Sequence, residues 1–333
     1  MRLNMTYSCG ILGVGSSLPE KVLTNKDLEK MVDTSDEWII KRTGISKRRI
    51  LDKDTPTSEL GAQAARKALD DAGIAAEDLD MIIVATETPD YHTPSMACII
   101  QSRLGATRAA AFDLNAACSG FIYGMSLANQ FITTGHYKYV LVLGCEGLSK
   151  ITDWEDRNTC VLFGDGAGAA VFGPVEEGYG VITTHIGSDG SLGKYLTAPC
   201  CFASPTDIEV RQGKNKRVLW MDGGEVFKFA VKIMEQAANR VLDDARMTME
   251  DIKLIVPHQA NIRILDGAAK RLGVPAEKVF TNLQEYGNIS SASIPVGLCE
   301  AYNNKMLSKG DNLILVGFGG GLTWGSAIIK WNK

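Results

Sequence analysis

The chain alternates between two hydrophobic periods. Tyr7 to Val14 and Met81 to Ala85 are short apolar runs of strand type, and Arg108 to Leu114 reads as a further short buried strand. Ser58 to Ala72 places its apolar residues on one helical face, and Phe121, Ile122, Met125, Ala128, Phe131 and Ile132 recur at helical spacing. Asn25 to Val32 predicts a short helix. Thr34-Ser35-Asp36-Glu37 supplies a helix start before Trp38-Ile39-Ile40. Helix and strand alternate through to Val142, the pattern of an α/β architecture.

The pattern then repeats. Ala68-Leu69-Asp70-Asp71-Ala72 followed by Glu77-Asp78-Leu79-Asp80-Met81-Ile82-Ile83 recurs as Val241-Leu242-Asp243-Asp244-Ala245 followed by Glu250-Asp251-Ile252-Lys253-Leu254-Ile255-Val256, at an offset of 173 residues. Arg103-Leu104-Gly105 is echoed by Arg271-Leu272-Gly273, Val140 to Gly144 by Leu313 to Gly317, and Gly168 to Val171 by Gly325 to Ile328. Echoes kept in the same order predict a duplicated αβ unit, with halves 1–180 and 181–333 related by a pseudo-twofold axis around one central site. The stretch Thr197 to Arg217 is polar and contains Pro199 and Pro205, so it reads as a long surface excursion.

Composition sets bounds on this picture. With 333 residues, 45% apolar and 22% charged, the chain can bury a large core, and its formal charge of −4 gives no basis for general nucleic-acid binding. The short apolar run Cys9 to Gly15 does not fit a signal peptide, and no run approaches ~18 apolar residues, so the expectation is a cytoplasmic protein with no membrane segment. The eight cysteines (9, 98, 118, 145, 160, 200, 201, 299) form no CxxC pair and no Cys/His cluster of zinc spacing, so reduced thiols and no metal are expected.

Cys118 stands out by position. It lies in Asn115-Ala116-Ala117-Cys118-Ser119-Gly120-Phe121, between a strand and the first turn of an apolar helix, where the partial positive charge of a helix N-terminus favours thiolate. His258 interrupts an apolar strand at its mouth, in Val256-Pro257-His258-Gln259-Ala260-Asn261, where α/β sheets tend to carry function. Asn288 lies in Tyr286-Gly287-Asn288, which by itself is a turn signal. Gly317-Phe318-Gly319-Gly320-Gly321 is richer in glycine than a turn between strands requires, which points to close backbone approach. Gly164-Asp165-Gly166-Ala167-Gly168 reads as a structural tight turn.

Together these residues carry a resemblance. Leu18-Pro19-Glu20-Lys21-Val22-Leu23-Thr24-Asn25, Asp36-Glu37-Trp38, Arg42-Thr43-Gly44-Ile45, Ala116-Ala117-Cys118-Ser119-Gly120, Asp153-Trp154-Glu155-Asp156-Arg157, Phe163 to Gly168, His258-Gln259-Ala260-Asn261, Tyr286-Gly287-Asn288 and Gly319 to Gly325 are similar to the β-ketoacyl-acyl-carrier-protein synthase III family. These are the condensing enzymes that start type II fatty acid synthesis. The resemblance runs from about Ile11 to the C-terminus and implies a five-layered αβαβα thiolase-like fold.

It also implies roles. Cys118, His258 and Asn288 match the catalytic triad, and the backbone N–H groups of Cys118 and Gly320 match an oxyanion hole. Trp38 and Arg157 match positions that flank the adenine of CoA, and Arg42 and Asn261 match further CoA contacts. Lys228, Gln259, Arg263, Lys270 and Arg271 match contacts to the acyl carrier protein. The implied partners are acyl-CoA, acyl carrier protein and a second copy of the chain, with no cofactor. A segment matching Thr86 to Ser95 crosses the family's dimer interface, and Tyr91-His92-Thr93 here replaces a common phenylalanine, so the primer is not legible. A polyketide-type condensing enzyme would share the triad, and a cysteine-dependent thioesterase is the alternative of a different class.

Overall fold

Two sheets of matching strand order carry the fold. The computed structural model describes residues 7–207 and 216–333, so positions 208–215 of the Thr197 to Arg217 excursion lie outside the described residues. In chain order the strands are β1 (Ser8–Ser17), β2 (Val22–Thr24), β3 (Lys47–Arg49), β4 (Met81–Ala85), β5 (Ala110–Leu114), β6 (Val140–Gly147), β7 (Asp165–Val175), β8 (Gly180–Ser188), β9 (Leu196–Thr197), β10 (Trp220–Met221), β11 (Leu254–Pro257), β12 (Asn312–Gly319) and β13 (Thr323–Lys330). The first main sheet runs β1-β7-β6-β4-β5 and the second β8-β13-β12-β11. In each, the strand pair corresponding to β6 and β7 is antiparallel, and β4 beside β6 matches β11 beside β12 as a parallel pair. The order of the second sheet thus reproduces the first without β5, as duplication requires.

The helices are α1 (Asn25–Leu28), α2 (Asp36–Thr43), α3 (Thr57–Ala72), α4 (Met96–Leu104), α5 (Gly120–Thr133), α6 (Gly223–Ala245), α7 (Ile262–Leu272), α8 (Leu283–Tyr286) and α9 (Ser293–Asn303). α3 and α4 cover the outer face of the first sheet, and α6 covers the outer face of the second with α7 packed on it. α5 and α9 lie between the sheets, which makes five layers. Their apolarity follows from that place. Phe121, Ile122, Met125, Ala128 and Ile132 of α5 are fully buried, and Ile294 and Leu298 of α9 share one apolar cluster with strands of both sheets. The sheets approach each other closely. A Cβ on Gly144 of β6 would sit 2.1 Å from the carbonyl oxygen of Ser291, just before α9, so only glycine fits there.

Three expectations need correction. The helix from Asn25 stops at Leu28 instead of Val32, because Leu28 is its one buried apolar side chain and Met31 is 48% exposed. Gly164 to Gly168 is not a tight turn: Asp165 opens β7, and these small residues pair with β1 and β6 while α3 and α9 pack on the two faces. The strand ending at Leu114 is not buried. β5 is the sheet edge, and its residues are exposed or half-buried.

Candidate active site

Cys118 sits in a single 3₁₀ turn, Ala117–Ser119, that leads from β5 into α5. Ala117 adopts φ 48°, a left-handed backbone uncommon for a residue with a side chain. Hydrogen bonds hold the turn in that shape. Asn115 Oδ1 accepts from Ala117 N at 3.2 Å, and Ser119 Oγ lies within hydrogen-bond distance of Ala116 O (2.7 Å) and Thr323 Oγ1 (2.8 Å). Thr323 in turn donates to Ala116 O at 2.8 Å. The start of β13 is thereby knitted to the cysteine turn. The glycine-rich end of β12 lies against the same turn, since a Cβ on Gly319 would be 2.5 Å from Cys118 N. Gly320, next in sequence, faces the Ala117 methyl and Leu196.

His258 follows β11 directly, and its backbone N donates to Val316 O of β12 at 2.8 Å. The ring meets Phe318 edge-on, with centroids 5.5 Å apart, and is 1% exposed. Burial pushes its pKa down to about 3, so the imidazole is neutral, and its Nδ1 has no hydrogen-bond partner among the described residues. Asn288 is fixed from both sides: its N donates to Leu162 O at 2.8 Å and its O accepts from Gly164 N at 3.0 Å. Asn288 Oδ1 accepts from Ser290 N at 2.9 Å, which orients the amide and leaves Nδ2 as a donor.

All three side chains line one cleft of about 950 Å³, together with Glu87, Ser290, Phe318 and Gly319. Its walls also include Trp38, Arg42, Asn261, Arg263, Phe227 and Lys228. Cys118, His258 and Asn288 form its buried part, while Arg42, Lys228 and Arg263 are exposed.

Trp38 is placed by α2. Ser35 Oγ caps the helix by accepting from Trp38 N, Asp36 and Glu37 occupy the first turn, and Gly44 closes it at φ 79°. Asn25 anchors this helix by donating to Asp36 Oδ1 at 2.8 Å and to Ile45 O at 2.7 Å. The fully buried Arg48 then joins Asn25 Oδ1 (2.8 Å) to Val161 O (2.8 Å), so the helix that carries Trp38 is tied to a second lining segment of the cleft. The Arg157 guanidinium lies 4.9 Å from the Trp38 ring centroid and that of Arg42 lies 5.8 Å away. Arg157 does not itself line the cleft. It donates to Asp33 O at 2.8 Å, and a planar ring could stack between it and Trp38 only by parting them.

The basic residues divide. Lys228 pairs with Glu225 at 2.6 Å, Arg271 with Glu235 at 2.6 Å, and Arg263 lies over the Phe227 ring at 5.6 Å. Lys270 is exposed on the same α7 as Arg263. Asn261 caps α7, its Oδ1 accepting from Arg263 N at 2.9 Å. Gln259 is a correction: it offers no surface to a carrier protein. It is 1% exposed, and its amide donates to Pro257 O and Phe280 O and accepts from Asn282 N. Its work is to brace the loop behind His258.

A carboxyl pair beside the cleft, Glu146 fully buried and Glu87 half-buried, was missed by the sequence reading. Glu87 follows β4, and its Oε1 accepts from Ser290 Oγ at 2.8 Å. Glu146, on β6, accepts from Ser291 Oγ (2.7 Å), Thr88 Oγ1 (2.8 Å) and Glu87 N (3.1 Å). Burial, and then the neighbouring Glu87, push Glu146 up to about 8, and burial raises Glu87 as well. The available signal was a charged residue at the mouth of a fully apolar strand. The helix-terminus argument for Cys118 is also overturned in sign. Burial first and the Glu87 charge second raise its thiol pKa well above the ordinary value, outweighing the Ser290 hydroxyl that hydrogen-bonds to it.

Comparisons with known proteins point one way. The family model described as 3-oxoacyl-[acyl-carrier-protein (ACP)] synthase III matches residues 112–190, and its C-terminal model matches 242–331. The chain is 56% identical over 326 residues to a beta-ketoacyl-[acyl-carrier-protein] synthase III of Caldanaerobacter subterraneus subsp. tengcongensis, with 98% of each chain covered. Among solved structures, the 3-oxoacyl-[acyl-carrier-protein] synthase III of Aquifex aeolicus VF5 superposes with TM-score 0.91 at 46% identity, covering 97% of this chain and 100% of the other. The priming β-ketosynthase of the R1128 polyketide biosynthetic pathway superposes with TM-score 0.93 at 36% identity, covering 100% and 99%.

Proposed function

The chain belongs to the 3-oxoacyl-[acyl-carrier-protein] synthase III family of thiolase-fold condensing acyltransferases, and from that premise we propose how its own residues carry the reaction. The enzyme performs the condensation that initiates fatty acid synthesis, joining an acyl-CoA primer to malonyl-acyl-carrier protein with loss of carbon dioxide. The observation that supports the assignment of roles is the convergence of Cys118, His258 and Asn288 on one cleft from both halves of the duplication.

Cys118 Sγ attacks the thioester carbonyl of the primer and releases CoA, leaving an acyl-enzyme. The backbone N–H groups of Cys118 and Gly320 receive the oxyanion of the tetrahedral intermediate. In the second stage a neutral His258 and the Asn288 amide donate hydrogen bonds to the malonyl thioester oxygen as decarboxylation develops an enolate. A neutral imidazole keeps an N–H for this purpose, and an amide donates without titrating. The carbanion then attacks acyl-Cys118 and gives the 3-oxoacyl product. No metal or redox cofactor enters these steps.

The wall formed by the half-buried Trp38 and Asn261 and the exposed Arg42 receives the nucleotide end of CoA, with Arg157 swinging off Trp38 to admit the base. Lys228, Arg263, Lys270 and Arg271 form the basic rim for the acidic carrier protein, a local patch on a chain of net charge −4. The assembly is a homodimer joined along the open edge of β5, whose unpaired backbone and half-buried Phe112 and Leu114 ask for a partner strand. Tyr91, 62% exposed on the Thr86 to Ser95 loop, belongs to that surface. No helix among the described residues is long and apolar enough to cross a membrane, which is compatible with the cytoplasmic setting of the substrates.

Mass spectrometry of Cys118 after exposure to a panel of acyl-CoAs, followed by malonyl-carrier protein, tests the reading. Acyl adducts at Cys118 that are discharged as 3-oxoacyl-carrier protein support it, and release of free acid without use of the malonyl donor overturns it in favour of a thioesterase.

A further inference from the structure

The mechanism above leaves a proton unplaced. Cys118 is a thiol that burial keeps protonated, and the neighbouring His258 is a neutral imidazole and a poor base. The groups that face Cys118 come from four places: Glu87 after β4, Glu146 on β6, His258 after β11 and Ser290 ahead of α9. Of these, Ser290 is the hydroxyl that favours the Cys118 thiolate and that also reaches a carboxylate, the half-buried Glu87. Its Oγ donates to Glu87 Oε1 at 2.8 Å. Ser290 is held for this by φ 47° and by its N–H bond to Asn288 Oδ1 at 2.9 Å. Glu146 is saturated otherwise, accepting from Ser291, Thr88 and the Glu87 backbone. The Glu87 side chain lines the cleft and accepts from Ser290.

We propose that Glu87 is a positioning and proton-holding residue for the nucleophile, receiving the Cys118 proton through Ser290 during acylation and returning it after condensation. The inference rests on Cys118 being the nucleophile. As the sulfur–carbonyl bond forms, the Sγ–H bond breaks. That proton passes to Ser290 Oγ, while the Ser290 hydroxyl proton passes to the Glu87 carboxylate. The primer's thioester C–S bond breaks, and the departing CoA sulfur takes its proton from solvent. When condensation expels the Cys118 sulfur, the proton returns by the same path and Glu87 is again a carboxylate. The acyl-enzyme therefore carries a neutral Glu87, so the incoming malonyl carboxylate meets less negative charge in the cleft than it would in the free enzyme.

The test uses the intact enzyme and two readouts: single-turnover acylation of Cys118 by acyl-CoA, and the pH profile of Cys118 alkylation by iodoacetamide. Glu87→Gln keeps the side-chain shape and removes the charge. It is expected to slow acylation about 10²-fold while the alkylation profile moves to lower pH, because the adjacent negative charge is gone. Ser290→Ala is expected to slow acylation similarly, but to move the alkylation profile to higher pH, because the thiolate loses a hydrogen bond. A merely structural role for Glu87 would not produce opposed shifts from two members of one chain. Wild-type acylation rates in Glu87→Gln, or alkylation profiles that coincide with wild type in both variants, would overturn the relay. If wild-type enzyme were not acylated at Cys118 at all, the underlying assignment would fall first, and the two failures are thereby distinguished.

Discussion

Ala117 and Ser290 hold the same left-handed backbone, at φ 48° and φ 47°, and lie 173 residues apart in the sequence. That is the interval of the internal repeat. Each opens a 3₁₀ turn that feeds a central buried helix, α5 in one half and α9 in the other. The duplicated unit thus keeps one strained turn at the same place in both copies, and both turns face the cleft. Residues held in this region carry strain of about 1–3 kcal/mol, and β-branched side chains tolerate it least. Ala117→Val is expected to lower stability by at least ~1 kcal/mol and to slow acylation, while Ala117→Gly keeps the fold. Denaturant unfolding of the two variants checks this.

Gly319→Ala tests the approach of β12 to Cys118. The new methyl would meet Cys118 N at 2.5 Å and the Ala117 methyl at 2.9 Å, so the cysteine turn or the glycine turn must shift. Displacing one oxyanion donor commonly slows a reaction ~10²–10³-fold. Labelling of Cys118 by acyl-CoA should fall by that order, with the unfolding midpoint much less affected.

His258→Ala and Asn288→Ala separate the two stages. Both are expected to impair malonyl decarboxylation by ~10²-fold or more and largely to spare acylation. Carbon dioxide release and acyl-enzyme formation, measured side by side, decide the matter. Failure of labelled acyl-CoA to mark either variant would contradict the division of labour.

Trp38→Ala removes the ring on which Arg157 and Arg42 rest. The KM for acyl-CoA should rise several-fold, consistent with cation–π and stacking contacts of ~0.5–1 kcal/mol at exposed sites. The KM for malonyl-carrier protein should stay within twofold of wild type, about its experimental error. A change confined to the carrier-protein KM would place the nucleotide elsewhere.

Stability should depend on pH with two slopes. Glu146 is raised from 4.5 to about 8, so between those values the native state holds a proton that the unfolded chain releases, and stability falls as pH rises. His258 is lowered from 6.5 to about 3, so its contribution rises with pH and is complete above 6.5. From pH 6.5 to 8 the Glu146 slope stands alone between these two. The thermal midpoint is expected to fall across that window in wild type and to flatten in Glu146→Gln. Parallel slopes in the two proteins would show that the carboxyl is ionised in the fold.

Much of this was legible in the sequence, for identifiable reasons. The α/β class follows from the alternation of periods, the five layers from the family resemblance, and the twofold from echoes such as Leu69-Asp70-Asp71-Ala72 with Leu242-Asp243-Asp244-Ala245. Asn288 by itself reads as a turn and is singled out by the family resemblance, whereas Cys118 opens an apolar helix and His258 interrupts an apolar strand at its mouth. Glu87 breaks a pattern in the same way, but a carboxylate after a strand ordinarily points to water, and only tertiary packing turns it toward Ser290. Gln259 misled because adjacency to His258 does not say which way a side chain points, and three internal hydrogen bonds turn it inward. The acidity expected of Cys118 from the helix terminus is opposed by desolvation first and the neighbouring Glu87 carboxylate second, both of which act on the sulfur directly.

The meeting of Gly144 with the Ser291 carbonyl, 2.1 Å from where a Cβ would stand, has a consequence for how the molecule comes apart. The two copies interlock through main chain, and α5 and α9 each bury side chains against strands of both sheets. A fragment ending near residue 180 would leave the inner face of its sheet and most of α5 bare to water. Duplication here has therefore produced an obligate pair: neither copy is a module that could be exchanged, truncated or expressed alone, and the chain should melt in a single transition.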